Sequence, residues 1–217
     1  MGRRLPKLEQ LVDLPVETPR LRLRLPSSQD VPALKRSFRD PRTARAVGAS
    51  LHSAEEMREP GKMVTRTRAE FRRSEHLSLS VLLQGSEECV GRVGLRGLDW
   101  KWRKVESLAY WVDPRWWNRG LATEASWFLC RVAFRALRMR RIASQALDRN
   151  LASQAVLRRI GFVEEGRERR SVMLRGEAMD MILYGLLDSE LRPEEQMRSV
   201  WRVDRSTPTR TTDADDG

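Results

Sequence analysis

The stretch "PRWWNRGLATEA", residues 114–125, carries the chain from a strand-like run into a helix-like one through a single glycine. Upstream, "ESLAYWVD" (106–113) has the residue content of a strand. Downstream, Leu121, Ala125, Phe128, Leu129, Val132 and Ala136 recur at spacings of three and four, which predicts an amphipathic helix beginning near Gly120. Arg131, Arg135 and Arg138 toward its far end suit the negative pole of the helix dipole. A helix start leaves four amides without partners and carries about half a positive charge, so a loop that leads into it is a ready anion site. Small residues at Gly120 and Ala122 would let a pyrophosphate approach the backbone. The competing reading is that Gly120 only relieves a tight turn while Trp116 and Trp117 pack into the core. The loop is neither a GxGxxG nor a GKS-type phosphate loop, so dinucleotide and nucleoside-triphosphate readings lack support.

Working outward, "RLRLRLP" (20–26) alternates leucine with arginine and predicts a first strand with one buried face. "SSQDVPALKRSFRD" offers Ser27 or Ser28 as a helix cap, with Val31, Leu34 and Phe38 on one face. Residues 41–76 are helix-like, and Pro60-Gly61 is expected to break them into two pieces. "LSLSVLLQGSEECVGRVGLRGL" reads as two strands around Gly85-Ser86-Glu87, which with 106–113 makes an antiparallel meander. After the long helix come a strand in "RRIASQAL", a helix Leu151–Ile160 capped by Asn150 and stopped by Gly161, and two strands around Arg175-Gly176. Three segments follow: an N-terminal extension at 1–16, one domain at 17–190, and a polar, disordered tail at 191–217.

Of 217 residues, 40% are hydrophobic and 33% charged, the balance of a globular chain. Lys and Arg exceed Asp and Glu by 41 to 30, a net charge of +11 that favours polyanionic partners. Cys89 and Cys130 stand far apart without a CxxC partner, and His52 and His76 are isolated, so neither a metal site nor a disulfide framework is expected. The N-terminus lacks an apolar signal region, and no stretch approaches the roughly 20 apolar residues that span a bilayer. A cytoplasmic protein with no membrane association is the expectation.

The order of elements, together with "ETPRLRLR" (17–24), "FRDPRTAR" (38–45), "AYWVDPRWWNRGLATEA" (109–125), "NLASQAVLRRIGFVEEG" (150–166) and "GEAMDMILYGLL" (176–187), resembles the GNAT superfamily of acetyl-CoA-dependent N-acetyltransferases. The details are similar to the Rim type, which acetylates ribosomal-protein N-termini. The resemblance implies an α+β fold of three layers, a mixed, mostly antiparallel central sheet flanked by helices. It implies acetyl-CoA as co-substrate and no metal. It places the pyrophosphate loop on Trp117 to Ala122, with the backbone amides of Asn118, Arg119, Gly120, Leu121 and Ala122 as donors, and adds Thr123 to the cofactor-binding residues. It places the thioester carbonyl against the strand Leu108 to Val112, with Tyr110, Trp111 and Val112 as cofactor-binding residues, and the pantetheine arm and sulfur near Asn150 and Ser153. Asn118 and Ala109 stand where the family commonly has glycine.

Acetyl transfer to an amine needs a neutral nucleophile, a stabilised oxyanion and an outlet for the thiolate. The second cofactor helix holds no tyrosine, which leaves Ser153 to hydrogen-bond the sulfur, or to be only a first-turn residue as Asn150 is only its cap. Glu106, Asp99 or a bound water is the candidate base. Neutralising an α-amine of pKa near 8 at pH 7 costs about 1.4 kcal/mol, against about 4.6 for a lysine, so a site without an obvious strong base suits a protein N-terminus. A small amine such as a polyamine or antibiotic is the alternative acceptor, and ribosome association fits the charge. The chain is expected to be a monomer or homodimer. A reading of another class is a non-catalytic basic nucleic-acid-binding module, with Trp100, Trp102, Trp116, Trp117 and Trp201 as stacking residues.

Overall fold

A computed structural model describes residues 6–43, 58–174 and 176–201. Among them, eight strands form one sheet: β1 (Val16–Glu17), β2 (Leu21–Arg24), β3 (Leu77–Leu83), β4 (Cys89–Asp99), β5 (Lys104–Val112), β6 (Arg141–Leu147), β7 (Val163–Leu174) and β8 (Glu177–Leu187). Their spatial order is β1-β2-β3-β4-β5-β6-β8-β7, and every neighbouring pair is antiparallel apart from β5 and β6. The flanking helices are α1 (Leu8–Leu11), α2 (Val31–Arg39), α3 (Pro60–Arg72), α4 (Leu121–Arg135), α5 (Leu151–Ile160) and α6 (Glu194–Trp201).

Period-two patterning decides which helices lie on which face. Leu21 and Leu23 of β2 are fully buried while Arg22 and Arg24 point away from that core. On β5, Leu108 enters the main core with Leu121, Ala125 and Leu129 of α4. Trp111, of opposite parity, packs with Leu34 of α2 and Met63 and Val64 of α3, its ring centroid 5.0 Å from that of Phe38. The β3–β4–β5 meander turns at Gly85, whose φ of +73° is the left-handed conformation that glycine adopts without strain. Pro60 is the first residue of α3, where its missing N–H leaves no bond unmade; the part of 41–76 that would precede the break falls largely in 44–57, outside the described residues.

Both ends of the chain depart from expectation. The N-terminal segment is part of the domain: Leu8 and Val12 are buried in the main core, and the Leu8 amide donates to Ser74 Oγ at 3.2 Å. Beyond Leu191 the chain forms α6, which buries Met197 and Trp201. The Trp201 ring lies 5.2 Å from Trp127 and 5.2 Å from Phe128, between centroids, and Trp127 Nε1 donates to Arg192 O at 2.8 Å. The expected disordered tail from 191 is therefore corrected for 194–201, while 202–217 lie outside the described residues.

Candidate active site

Asp113 follows β5, and its carboxylate accepts from the Arg115 amide to start a 3-10 turn, Pro114–Trp116. Trp117 Nε1 donates to Val112 O at 2.7 Å and pins the loop to the strand. Asn118 (φ +60°) and Gly120 (φ +71°) are both left-handed. Asparagine is among the few residues other than glycine that accept this conformation, so its presence at 118 preserves the turn. Among the described residues, the amides of Asn118, Arg119, Gly120, Leu121, Ala122 and Thr123 have no acceptor; the first intrahelical bond is Glu124 N to Gly120 O, at 3.0 Å. Six free donors at the positive end of a 15-residue helix form an anion cradle. A Cβ at Gly120 would meet Val200 Cγ1 and Val200 O at 3.1 Å and Arg20 Nη2 at 3.4 Å. Gly120 is required by its φ and by the close approach of α6. Arg119 is outside the cavity wall, its guanidinium 4.8 Å above the Trp116 ring.

Beneath the cradle lies a buried ion pair that the sequence reading missed. Glu124, fully buried in the first turn of α4, accepts from Thr18 Oγ1 at 2.6 Å, Arg20 N at 2.9 Å and Arg20 Nε at 2.5 Å. Arg20 Nη1 then reaches Arg119 O at 2.8 Å. The "TPRL" segment thus ties β2 to both the loop and the helix start. Its sequence signal was the match at 17–24, to which no chemistry was attached.

The sheet opens beside the cradle. β5 and β6 pair only at Lys104–Arg141 and Val105–Ile142; farther along, Ser144 Oγ bridges to Leu108 O at 2.9 Å in place of a backbone bond. The Asp113 amide bonds back to Val90 O on β4, so strand alternation directs the amides of Tyr110 and Val112 into the gap and that of Trp111 toward β4. Two unpaired strand donors in a sheltered cleft can bond a carbonyl oxygen as negative charge develops on it.

Across the gap, Asn150 Oδ1 accepts from the Ser153 amide at 3.0 Å and caps α5. The cap uses the oxygen and leaves the Nδ2 donors free among the described residues, so Asn150 can cap the helix and also contact a ligand. The Tyr110 hydroxyl lies 3.0 Å from Ser153 Oγ and donates to Ser153 O, also at 3.0 Å. Burial pushes the Tyr110 phenol well above its ordinary value, only partly opposed by the Ser153 hydrogen bond. A tyrosine hydroxyl of β5 thus reaches the first turn of α5.

These parts line one cavity of about 950 Å³: Tyr110, Trp111, Val112, Trp117, Asn118, Gly120, Leu121, Ala122, Thr123, Asn150 and Ser153 at one end, and Glu106, Glu70, His76 and Arg96 at the other. Glu106 is exposed, has no ion-pair partner among the described residues, and lies directly over Gly97 (φ +62°), where a Cβ would clash with its carboxylate. His76 Nδ1 accepts from Gly97 N at 2.8 Å, which commits that nitrogen and leaves Nε2 as a donor. Asp99 is off the cavity wall, and its Oδ1 caps the amides of Lys101 and Trp102. Among the tryptophans, Trp201 is buried, Trp116 lies under Arg119, and Trp100 Nε1 donates to Ser74 O. Among the described residues there is no cluster of metal-ligating side chains, both cysteines are buried and free, and no helix is long and apolar enough to cross a membrane.

A splayed mixed sheet with an amide cradle at the helix that follows it defines an acyl-CoA-dependent transferase. The sequence model of the acetyltransferase (GNAT) domain family matches residues 20–163, and the chain belongs to that family. It is 36% identical over 105 residues to YdaF of Bacillus subtilis, provisionally named a ribosomal N-acetyltransferase, covering 48% of this chain and 57% of that protein. It is 27% identical over 172 residues to the uncharacterised N-acetyltransferase YoaA of Bacillus subtilis, covering 79% and 96%. Mycobacterium smegmatis RimJ, solved with a coenzyme A disulfide, superposes with a TM-score of 0.71 at 24% identity, covering 82% of this chain and 88% of that one. The chain is thus an N-acetyltransferase with acetyl-CoA as donor, and the non-catalytic reading is set aside.

Proposed function

We propose that the protein transfers the acetyl group of acetyl-CoA to the N-terminal α-amine of a protein, the acceptor class in the name of one structural neighbour, the RimL ribosomal L7/L12 alpha-N-protein acetyltransferase, at 23% identity. The observation that carries this reading is the continuity of the cavity, which runs from the amide cradle through the sheet opening to Glu106. The donor supplies an activated thioester; the chain supplies everything else. The amides of 118–123 hold the pyrophosphate, Tyr110 N and Val112 N bond the carbonyl oxygen, and Ser153 faces the sulfur. Glu106 takes the amine proton, directly or through water, and an exposed carboxylate suits an amine whose pKa lies within about one unit of pH 7. The net charge of +11 supports work at an anionic surface such as the ribosome, in the cytoplasm. The transferase domain in this reading runs from Leu8 to Trp201.

The test is thioester consumption across peptides with a free or formylated α-amine, lysine-bearing peptides, polyamines and aminoglycosides. Turnover confined to free α-amines is expected, with Glu106→Gln lowering kcat by about 10- to 100-fold. Turnover of polyamines or aminoglycosides with none on peptides would replace the acceptor and leave the class intact.

A further inference from the structure

At the end of α4 remote from the cradle, two turns are joined into one surface. Arg140 N donates to Arg103 O at 2.6 Å, Arg103 Nη1 donates to Leu137 O at 3.3 Å, and Lys104 sits opposite Arg141 across β5 and β6. Lys101, Arg103, Lys104, Arg135, Arg138 and Arg140 are all exposed there. The opposing charge is Asp99, 3.9 Å from Lys104 Nζ and otherwise occupied by the turn amides. Arg141 is bound by Glu165, but Arg135, Arg138 and Arg140 have no carboxylate partner among the described residues. The helix dipole accounts for Arg135, in the last turn, and for Arg138 just beyond it, and not for Lys101, Arg103, Lys104 or Arg140.

Two further observations separate this surface from an ordinary solvated face. Trp102 is 66% exposed, with Lys101 Nζ 5.0 Å from its ring centroid. Arg103 and Arg138 both adopt φ of +56°, so each turn places an arginine where glycine or asparagine would sit without strain.

We propose that this surface binds single-stranded RNA, with phosphates on the cations and an unstacked base on Trp102. Duplexes keep their base faces stacked away from such an indole, whereas folded RNA presents splayed bases in its loops and ends. The length of α4, about 22 Å, separates the surface from the acetyl-CoA cradle, so the inference stands independently of the acceptor.

The experiment is anisotropy titration of a labelled single-stranded RNA against the full chain over a range of salt, with acetyl-CoA affinity as the folding control. Arg138→Gln/Arg140→Gln is expected to weaken binding and reduce the slope of log K against log salt by about 1.4, two phosphates at about 0.7 each. Trp102→Ala is expected to weaken it about 5- to 150-fold at unchanged slope. The matched charge removal on β7, Arg169→Gln/Arg170→Gln, should leave binding within twofold. Equal loss in the β7 control, no effect of Trp102→Ala, or binding to phosphatidylglycerol vesicles and not to RNA would each overturn the proposal.

Discussion

The Tyr110 hydroxyl lies 3.0 Å from Ser153 Oγ and 3.0 Å from Ser153 O, and it has one proton for the two of them. When that proton goes to Oγ, the serine's own proton is released toward the cavity; when it goes to the carbonyl, the serine donates back to the phenol. Hydrogen bonds to charged groups contribute about 1.5–3 kcal/mol, so losing a donor to the departing thiolate should lower kcat by about 10- to 150-fold in Ser153→Ala. Tyr110→Phe should lower it by less than about tenfold, and the double variant should be no slower than Ser153→Ala because the two act as one unit. Steady-state kinetics at saturating acetyl-CoA read this directly; multiplicative losses would show that the two hydroxyls act separately.

Alkaline pH should destabilise the fold through two buried cysteines and the half-buried Tyr110. Burial pushes Cys89 up to about 11 and raises Cys130 and the Tyr110 phenol well above their ordinary ranges. Each is protonated in the folded state at a pH where the unfolded chain has already ionised, so stability is complete below about pH 8.5 and falls as pH rises. The tyrosine adds at most about 1.4 kcal/mol per pH unit above pH 10. Urea midpoints measured from pH 7 to 10.5 should decline, less steeply above pH 10 in Tyr110→Phe than in the wild type.

The Arg20–Glu124 pair makes the cradle depend on β2. Arg20→Ala leaves a fully buried carboxylate without its cation and should cost about 3–5 kcal/mol in chemical unfolding. Arg20→Ala/Glu124→Leu should recover most of that loss, since the uncompensated charge is gone. Recovery of stability without recovery of acetyl-CoA affinity would identify the pair as the device that holds the loop in its binding shape.

The two left-handed residues of the loop should respond differently. Asn118→Gly should change stability by less than about 1 kcal/mol, whereas Asn118→Val should cost about 1–2 from backbone strain. Gly120→Ala should cost at least as much, because its Cβ also meets Val200 and Arg20. Thermal melting of the three variants ranks them; an Asn118→Val protein as stable as wild type would contradict the conformation.

Local patterns made most of this fold legible. Leu151–Ile160 came from an asparagine cap, a helical stripe and a terminal glycine, and the β7–β8 turn from Arg175-Gly176 between two strand-like runs. The cradle was legible because free amides follow from any helix start and need no particular side chain. The Arg20–Glu124 latch was not, because 104 residues separate its members and an alternating strand explains an arginine equally well. Tyr110 was placed by its backbone, and nothing in sequence says that its hydroxyl crosses the gap to α5. Glu106 was named beside Asp99 and a bound water; Gly97, which makes room for it, carries meaning only once the two strands are paired.

The C-terminal helix is the instructive case. Met197, Val200 and Trp201 have the spacing of one helical face, but they sit in "RPEEQMRSVWR", where charge dominates any window average. Only the face of α4 that carries Trp127 and Phe128 gives that short stripe something to cover. Trp201→Ala should therefore cost about 3–5 kcal/mol, as for a buried core aromatic. It should also weaken acetyl-CoA binding, since Val200 of the same helix packs against Gly120. Urea unfolding and acetyl-CoA calorimetry on Trp201→Ala and Trp201→Phe test both effects, with the phenylalanine variant expected to restore most of each; wild-type stability in the alanine variant would show that the helix is not part of the core.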